Sequence, residues 1–201
     1  MTGEYQRVEI PEVLLQRLNG LGPRFVKVEK MEKKPFEDDW QKPENMMYAN
    51  DPRLQEWLSK GGNYGIAAGY GLAILNADHE EIKQIVESKF PPSLTVESPG
   101  HKAPVYFFLS NPTGKMFLRT KGGEHAGEIL WEGFQTVGPG SIHPNGQRYK
   151  IINDAPLATI SKEQLAALLG DHLVPEKKIR EVEEAAGKEK QQAGVDLDIL
   201  Q

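Results

Sequence analysis

Residues 63–76, NYGIAAGYGLAILN, place the strongest constraint on what this chain can become. Two short apolar runs are broken by Gly69 and Gly71, and the second passes directly into DHEEIKQIVESKF, where Ile82, Ile85 and Val86 fall at helical spacing. The segment reads as strand, turn and helix in immediate succession.

The flanking segments supply further elements. IPEVLLQRLNGLG begins with a proline, spaces Val13, Leu14 and Leu18 for a helix and reaches Gly20 where that helix would end. PRFVKVEKM alternates apolar and charged residues like a half-buried strand, then meets KKPFEDDW, a loop around Pro35. DPRLQEWLSKGG has Asp51 as a cap, Pro52 at the first helical position, Leu54, Trp57 and Leu58 on one face, and Gly61 and Gly62 at the end. SLTVES and APVYFFLS read as strands joined by a glycine loop at Gly100. GEILWEGFQTVGPGSIHPNGQRYKII gives at least two more, with GPGS and PNG as turns. SKEQLAALLGDHL is a helix in which Ser161 and Gln164 approximate a capping box. Helices at both ends around a mostly antiparallel sheet make an α+β domain over residues 1–174. From residue 175 the composition turns to charge and alanine, and 175–201 read as a charged helical or flexible tail ending in VDLDIL, which alternates acidic and apolar residues.

Composition removes several kinds of chemistry. There is no cysteine, so disulfide scaffolds, thiol nucleophiles and thiolate metal sites are all absent. The histidines at 79, 101, 125, 143 and 172 lack metal-ligand spacing. GYGLAI lacks the third glycine of a dinucleotide fingerprint, and no GKS or GKT suggests a phosphate-binding loop. No apolar stretch approaches the ~20 residues of a membrane helix, and MTGEYQRVEI has no apolar core, so a cytoplasmic protein without membrane contact is expected. Net charge is -5, yet residues 101–150 hold 6 basic and 3 acidic side chains, an asymmetry that suits an anionic ligand or a solvated face.

The end of the second apolar run carries the candidate chemistry. Residues two apart in a strand share a face, so Asn76 and Asp78 project together while Ala77 points away. Two carboxylates in that arrangement hold paired divalent cations ~3.5–4 Å apart in enzymes that transfer phosphoryl groups. Here one member is an amide. The same residues also fit a capped turn, because Asp78 followed by Glu81 is a capping-box pattern and Asn76 suits a turn.

The order KKPFEDDW, DPRLQEWLSKGGNYGIAAGYGLAILNAD, VESPGHKAPVYFFLS, GEILWEGFQTVGPGSIHPNGQRYKI resembles the bifunctional primase-polymerase family of the archaeo-eukaryotic primase superfamily, found largely on plasmids and phages, over about residues 10–165. The resemblance implies a primase or DNA polymerase of DNA replication that joins nucleotides on a DNA template or primer with Mg²⁺ or Mn²⁺. It also implies a helicase or primase subunit as partner in trans. By position, the catalytic residues fall on Asn76, Asp78 and Glu128, with Asp78 and Glu128 as metal ligands. Nucleotide-binding positions fall on Ser141, His143 and Tyr149. The family's phosphate-contacting histidine aligns with Val105, leaving His101 and Lys102 in SPGHKAP as substitutes. Lys33 and Lys34 fit a phosphate backbone or a solvated surface, and Trp40 and Trp57 read as core.

Asn76 and Val105 are departures from the family pattern. A neutral amide bridges two cations poorly, and valine cannot bond a phosphate. Two functions follow: a nucleotidyltransferase with weak or lost activity that binds nucleotide and template, or a non-catalytic accessory subunit of a primase complex.

Overall fold

The structure, a computed structural model, describes residues 6–100, 104–110 and 116–175. The tail expected beyond residue 175 lies outside the described residues. Four α-helices are described: α1 (Glu12–Arg17), α2 (Pro52–Ser59), α3 (Glu80–Lys89) and α4 (Lys162–Leu169). The strands are β1 (Phe25–Val28), β2 (Asn63–Ala67), β3 (Leu72–Ala77), β4 (Thr95–Glu97), β5 (Val105–Leu109) and β6 (Met116–Arg119), followed by β7 (His125–Leu130), β8 (Gln135–Val137), β9 (Lys150–Asn153), β10 (Ala158–Thr159) and β11 (Leu173–Pro175).

They form an α+β architecture with two sheets where the sequence suggested one. The small sheet has the order β1-β2-β8, and the large one β11-β6-β7-β3-β5-β4-β9, antiparallel along its length, with β10 added parallel to β5. The central strands β3 and β5 are almost wholly apolar because both of their faces are covered.

Alternation along β3 sorts its side chains into two cores. Leu72 and Ile74 join Phe25, Val26, Tyr64 and Ile66 of the small sheet and Leu54 and Leu58 of α2. Ala73, Leu75 and Ala77 face Ile82 and Val86 of α3 and Leu165 and Leu169 of α4. The large sheet is therefore the middle layer, with α3 and α4 on one side and the small sheet, α1 and α2 on the other.

Local signals set the helix ends. Asp51 Oδ1 accepts from the Arg53 N–H at 2.9 Å, and in α4 Ser161 and Gln164 bond each other's backbone at 3.2 and 2.8 Å. Gly62 is required after α2, since a Cβ there would lie 2.2 Å from the Trp57 ring. Trp40 is buried; Trp57 is partly buried and donates from Nε1 to the Asn63 carbonyl at 2.8 Å. Among the described residues no helix is long and apolar enough to cross a membrane.

Candidate functional site

Antiparallel pairing puts three side chains in one row across the middle of the large sheet. Asn76 of β3 is opposite Val105 of β5 on one side and Glu128 of β7 on the other. The row continues through Val96 beyond Val105 and Phe117 beyond Glu128, so Asn76 and Glu128 are a polar pair in an apolar register. The alternation that sends Leu72 and Ile74 toward the small sheet sends Asn76 the same way, where that sheet no longer covers it fully.

Asp78 lies one residue past the end of β3, its N–H donating to the Ala126 carbonyl at 3.0 Å. It does not cap α3. His79 does, its Nδ1 accepting from the Glu81 N–H at 3.1 Å, so the capping-box pattern at Asp78 and Glu81 goes unused. Asp78 instead points toward solvent, with Oδ2 3.2 Å from His125 Nε2 and its side chain 33% exposed.

Asn76, Asp78, Val105, Glu128 and Tyr149 line one cavity of about 270 Å³ between the sheets. Lys33, Ser98 and Gln135 complete much of its rim. Gln135 Nε2 donates to the Lys33 carbonyl at 3.0 Å, tying the KKPF loop to β8. The Asn76 Oδ1 is buried and accepts no hydrogen bond among the described residues, a costly state for an amide oxygen. Gly127, beside Glu128, lets β7 approach closely: its φ is +137°, and a Cβ there would sit 2.1 Å from the Asn76 carbonyl oxygen.

The GPGS turn lies behind this cavity. Ser141 is fully buried, and its hydroxyl is paired with the Tyr64 backbone, 3.3 Å from the N–H and 3.4 Å from the carbonyl. The Tyr64 hydroxyl donates to the Pro139 carbonyl at 2.5 Å. His143 Nδ1 accepts from the Asn145 N–H at 3.2 Å, and its ring lies 5.7 Å from that of Tyr149. Ser141 and His143 thus support the wall in which Tyr149 stands. Burial pushes the Tyr149 phenol up, against a smaller opposing influence of the nearby Ser98 hydroxyl, and keeps it protonated at neutral pH; its buried oxygen has no hydrogen-bond partner among the described residues. His101 and Lys102 lie outside the described residues.

Sequence reasoning missed His125 and Gln135 as neighbours of the site. The register slips between Leu118 and Arg119, so that Leu118 pairs with Gly127 and Arg119 with His125, leaving Ala126 as an extra residue in β7. That irregularity brings His125 to the side where Asp78 lies, and alternation alone does not reveal it.

Asp78 and Glu128 line the same cavity and carry hard oxygen donors of the kind that bind divalent cations. Among the described residues no group of three or more His, Cys, Asp or Glu is placed to hold a metal, and the Asn76 amide adds no charge. The donor set does not fit a bridged pair of cations.

Residues 16–182 match the family described as bifunctional DNA primase/polymerase, N-terminal. Among curated proteins none matches the chain.

Proposed function

The chain belongs to the bifunctional DNA primase/polymerase N-terminal family, which gives it a primase/polymerase-like role in DNA replication, and from that premise we propose that its cleft binds a nucleotide and a template or primer strand while nucleotidyl transfer is weak or lost. The row Val105–Asn76–Glu128 carries this reading, because both departures from the family pattern meet as neighbours in one register.

Each residue has a definite task. Asp78 and Glu128 would hold one divalent cation, the kind of ion typical of the family, and that ion would supply positive charge to phosphate oxygens. Lys33 brings a cation to the same rim. Tyr149 retains its proton and presents a donor. Asn76 offers a dipole where a second carboxylate would be needed, and Val105 offers no donor. Losing one such electrostatic contact commonly costs a factor of ~10²–10³ in rate, and two are missing. A second reading draws on the same pair: an accessory subunit that catalyses nothing and holds nucleic acid or a partner protein for a primase complex.

The test combines nucleotide binding with primer synthesis in Mg²⁺ or Mn²⁺, on the native chain and on Asn76→Asp, Val105→His and the double variant. Binding without appreciable synthesis is expected from the native chain, no activity from Asn76→Asp alone, and measurable synthesis only from the double variant. A double variant that stays silent while binding persists favours the accessory reading. Vigorous synthesis by the native chain, or full activity from the single Asn76→Asp change, overturns the proposal.

A further inference from the structure

On the face of the large sheet away from the cleft, α3, α4 and the β6–β7 turn surround a groove of about 790 Å³. Ile85, Leu168, Leu169 and Val174 give it an apolar floor, and Lys89, Arg119 and Lys121 give it a basic rim. Two acids also line it, Glu81 and Asp171. Glu81 is already engaged, by His172 Nε2 at 3.6 Å and by the Lys121 N–H at 3.4 Å. Three cations against two acids, one of them already engaged, leave the rim net positive on a chain of net charge -5, and such a rim around apolar side chains favours an occupant that is both acidic and apolar.

This chain contains such a segment. Residues 195–200 read VDLDIL; in extended form Val195, Leu197 and Ile199 share one side while Asp196 and Asp198 share the other. The described chain ends at Pro175, next to Val174 in the groove wall. The stretch from 175 to 195 can span up to ~66 Å when extended, ample to return to the groove it has just left. The family match stops at residue 182, so the segment lies beyond what the family describes.

We propose that residues 195–200 of the same chain dock in the α3–α4 groove, with Val195, Leu197 and Ile199 on its floor and Asp196 and Asp198 against Lys89, Arg119 and Lys121. The segment and the groove complement each other in both charge and hydrophobic pattern. Docking would anchor this segment on the opposite side of the sheet from the nucleotide cleft.

Carbodiimide coupling of the full chain, which joins only carboxylates and amines in contact, tests this with peptide mass spectrometry. Linkage of Asp196 or Asp198 to Lys89 or Lys121 within monomers is expected, with the yield falling about ten-fold or more in the Leu197→Asp/Ile199→Asp variant, since those apolar contacts supply most of the affinity. The variant changes none of the described residues, and circular dichroism with urea unfolding matching the native chain excludes loss of folding as the cause of that fall. Equal coupling of both aspartates to remote lysines such as Lys60 and Lys150, or a yield unchanged by the variant, overturns the proposal. Mixing isotopically light and heavy chains settles the remaining point: pairs that join one light and one heavy chain assign the groove to a second copy and overturn docking within the chain.

Discussion

The two faces of β3 have the same spacing and meet opposite fates. On the α3 and α4 side, Ala73, Leu75 and Ala77 are all 1% exposed, so that face is closed along its whole length. On the other side, Leu72 and Ile74 are equally buried beneath the small sheet, but Asn76 is only partly covered and Asp78 reaches solvent. The strand does not change character at its end; the layer above it stops. The cleft is therefore a property of where the small sheet ends; Asp78 and Glu128 are tolerated there because water or a ligand can reach them, whereas the Asn76 Oδ1 stays buried and unpaired at the cleft's inner end.

The largest effect should come from the closed face. Ile82 is fully buried on α3, and Ile82→Ala should cost ~2–5 kcal/mol in urea unfolding while leaving nucleotide affinity unchanged where the variant is still folded. Affinity falling in step with stability would mean that the two faces are coupled and the comparison fails. Gly127→Ala stands at the boundary, where a new Cβ must displace the Asn76 carbonyl. It should cost ~1–3 kcal/mol and also remove binding, a combination that neither face alone produces.

Neighbouring residues sharpen the contrast further. His79→Ala removes the cap of α3 and should lower stability by ~1 kcal/mol with binding intact. Asp78→Asn removes no cap, so its stability should stay within ~0.5 kcal/mol of the native chain. Its cation-dependent nucleotide binding should fall about ten-fold or more, equivalent to a loss of ~1.4 kcal/mol. Calorimetry with and without Mg²⁺ checks both, and a stability loss at Asp78 equal to that at His79 would return Asp78 to a structural role.

What was legible in the sequence follows the range of the interactions. The caps at Asp51 and at Ser161 with Gln164 were readable because each is completed within three residues. The strand, turn and helix from 63 to 89 were readable because their periods are strong. β6, β10 and β11 were not: MFLR, AT and LVP are short, lack alternation and become strands only through their pairing with distant partners. At the site, alternation gave the common side of Asn76 and Asp78, and the family resemblance pointed to Glu128. The direct opposition of Val105, Asn76 and Glu128 depends on register, which no local pattern encodes. The cap of α3 misled because an imidazole nitrogen can accept the bond that a carboxylate was expected to take.

An effect no larger than that at His79 belongs to the layer above the small sheet, and its pH dependence identifies it. α2 packs on β1 and β2, and its cap Asp51 is held below the usual carboxylate range by hydrogen bonds from the Arg53 side chain and backbone N–H. Because the folded value lies below the unfolded one, the stability that Asp51 adds is fully present above the ordinary carboxylate pKa of ~3.9 and is lost as pH falls through the folded value. Asp51→Ala should therefore cost ~1 kcal/mol at neutral pH, and the gap between native and variant unfolding free energies should close in strong acid. Nucleotide affinity should not move at pH 7, because neither Asp51 nor any residue of α2 lines the cavity and the helix reaches it only through the small sheet. A gap that persists unchanged below the folded pKa would show that Asp51 acts through shape and not charge, whereas an affinity change at neutral pH would show that the layer above the small sheet, and not only the sheet's edge, shapes the cleft.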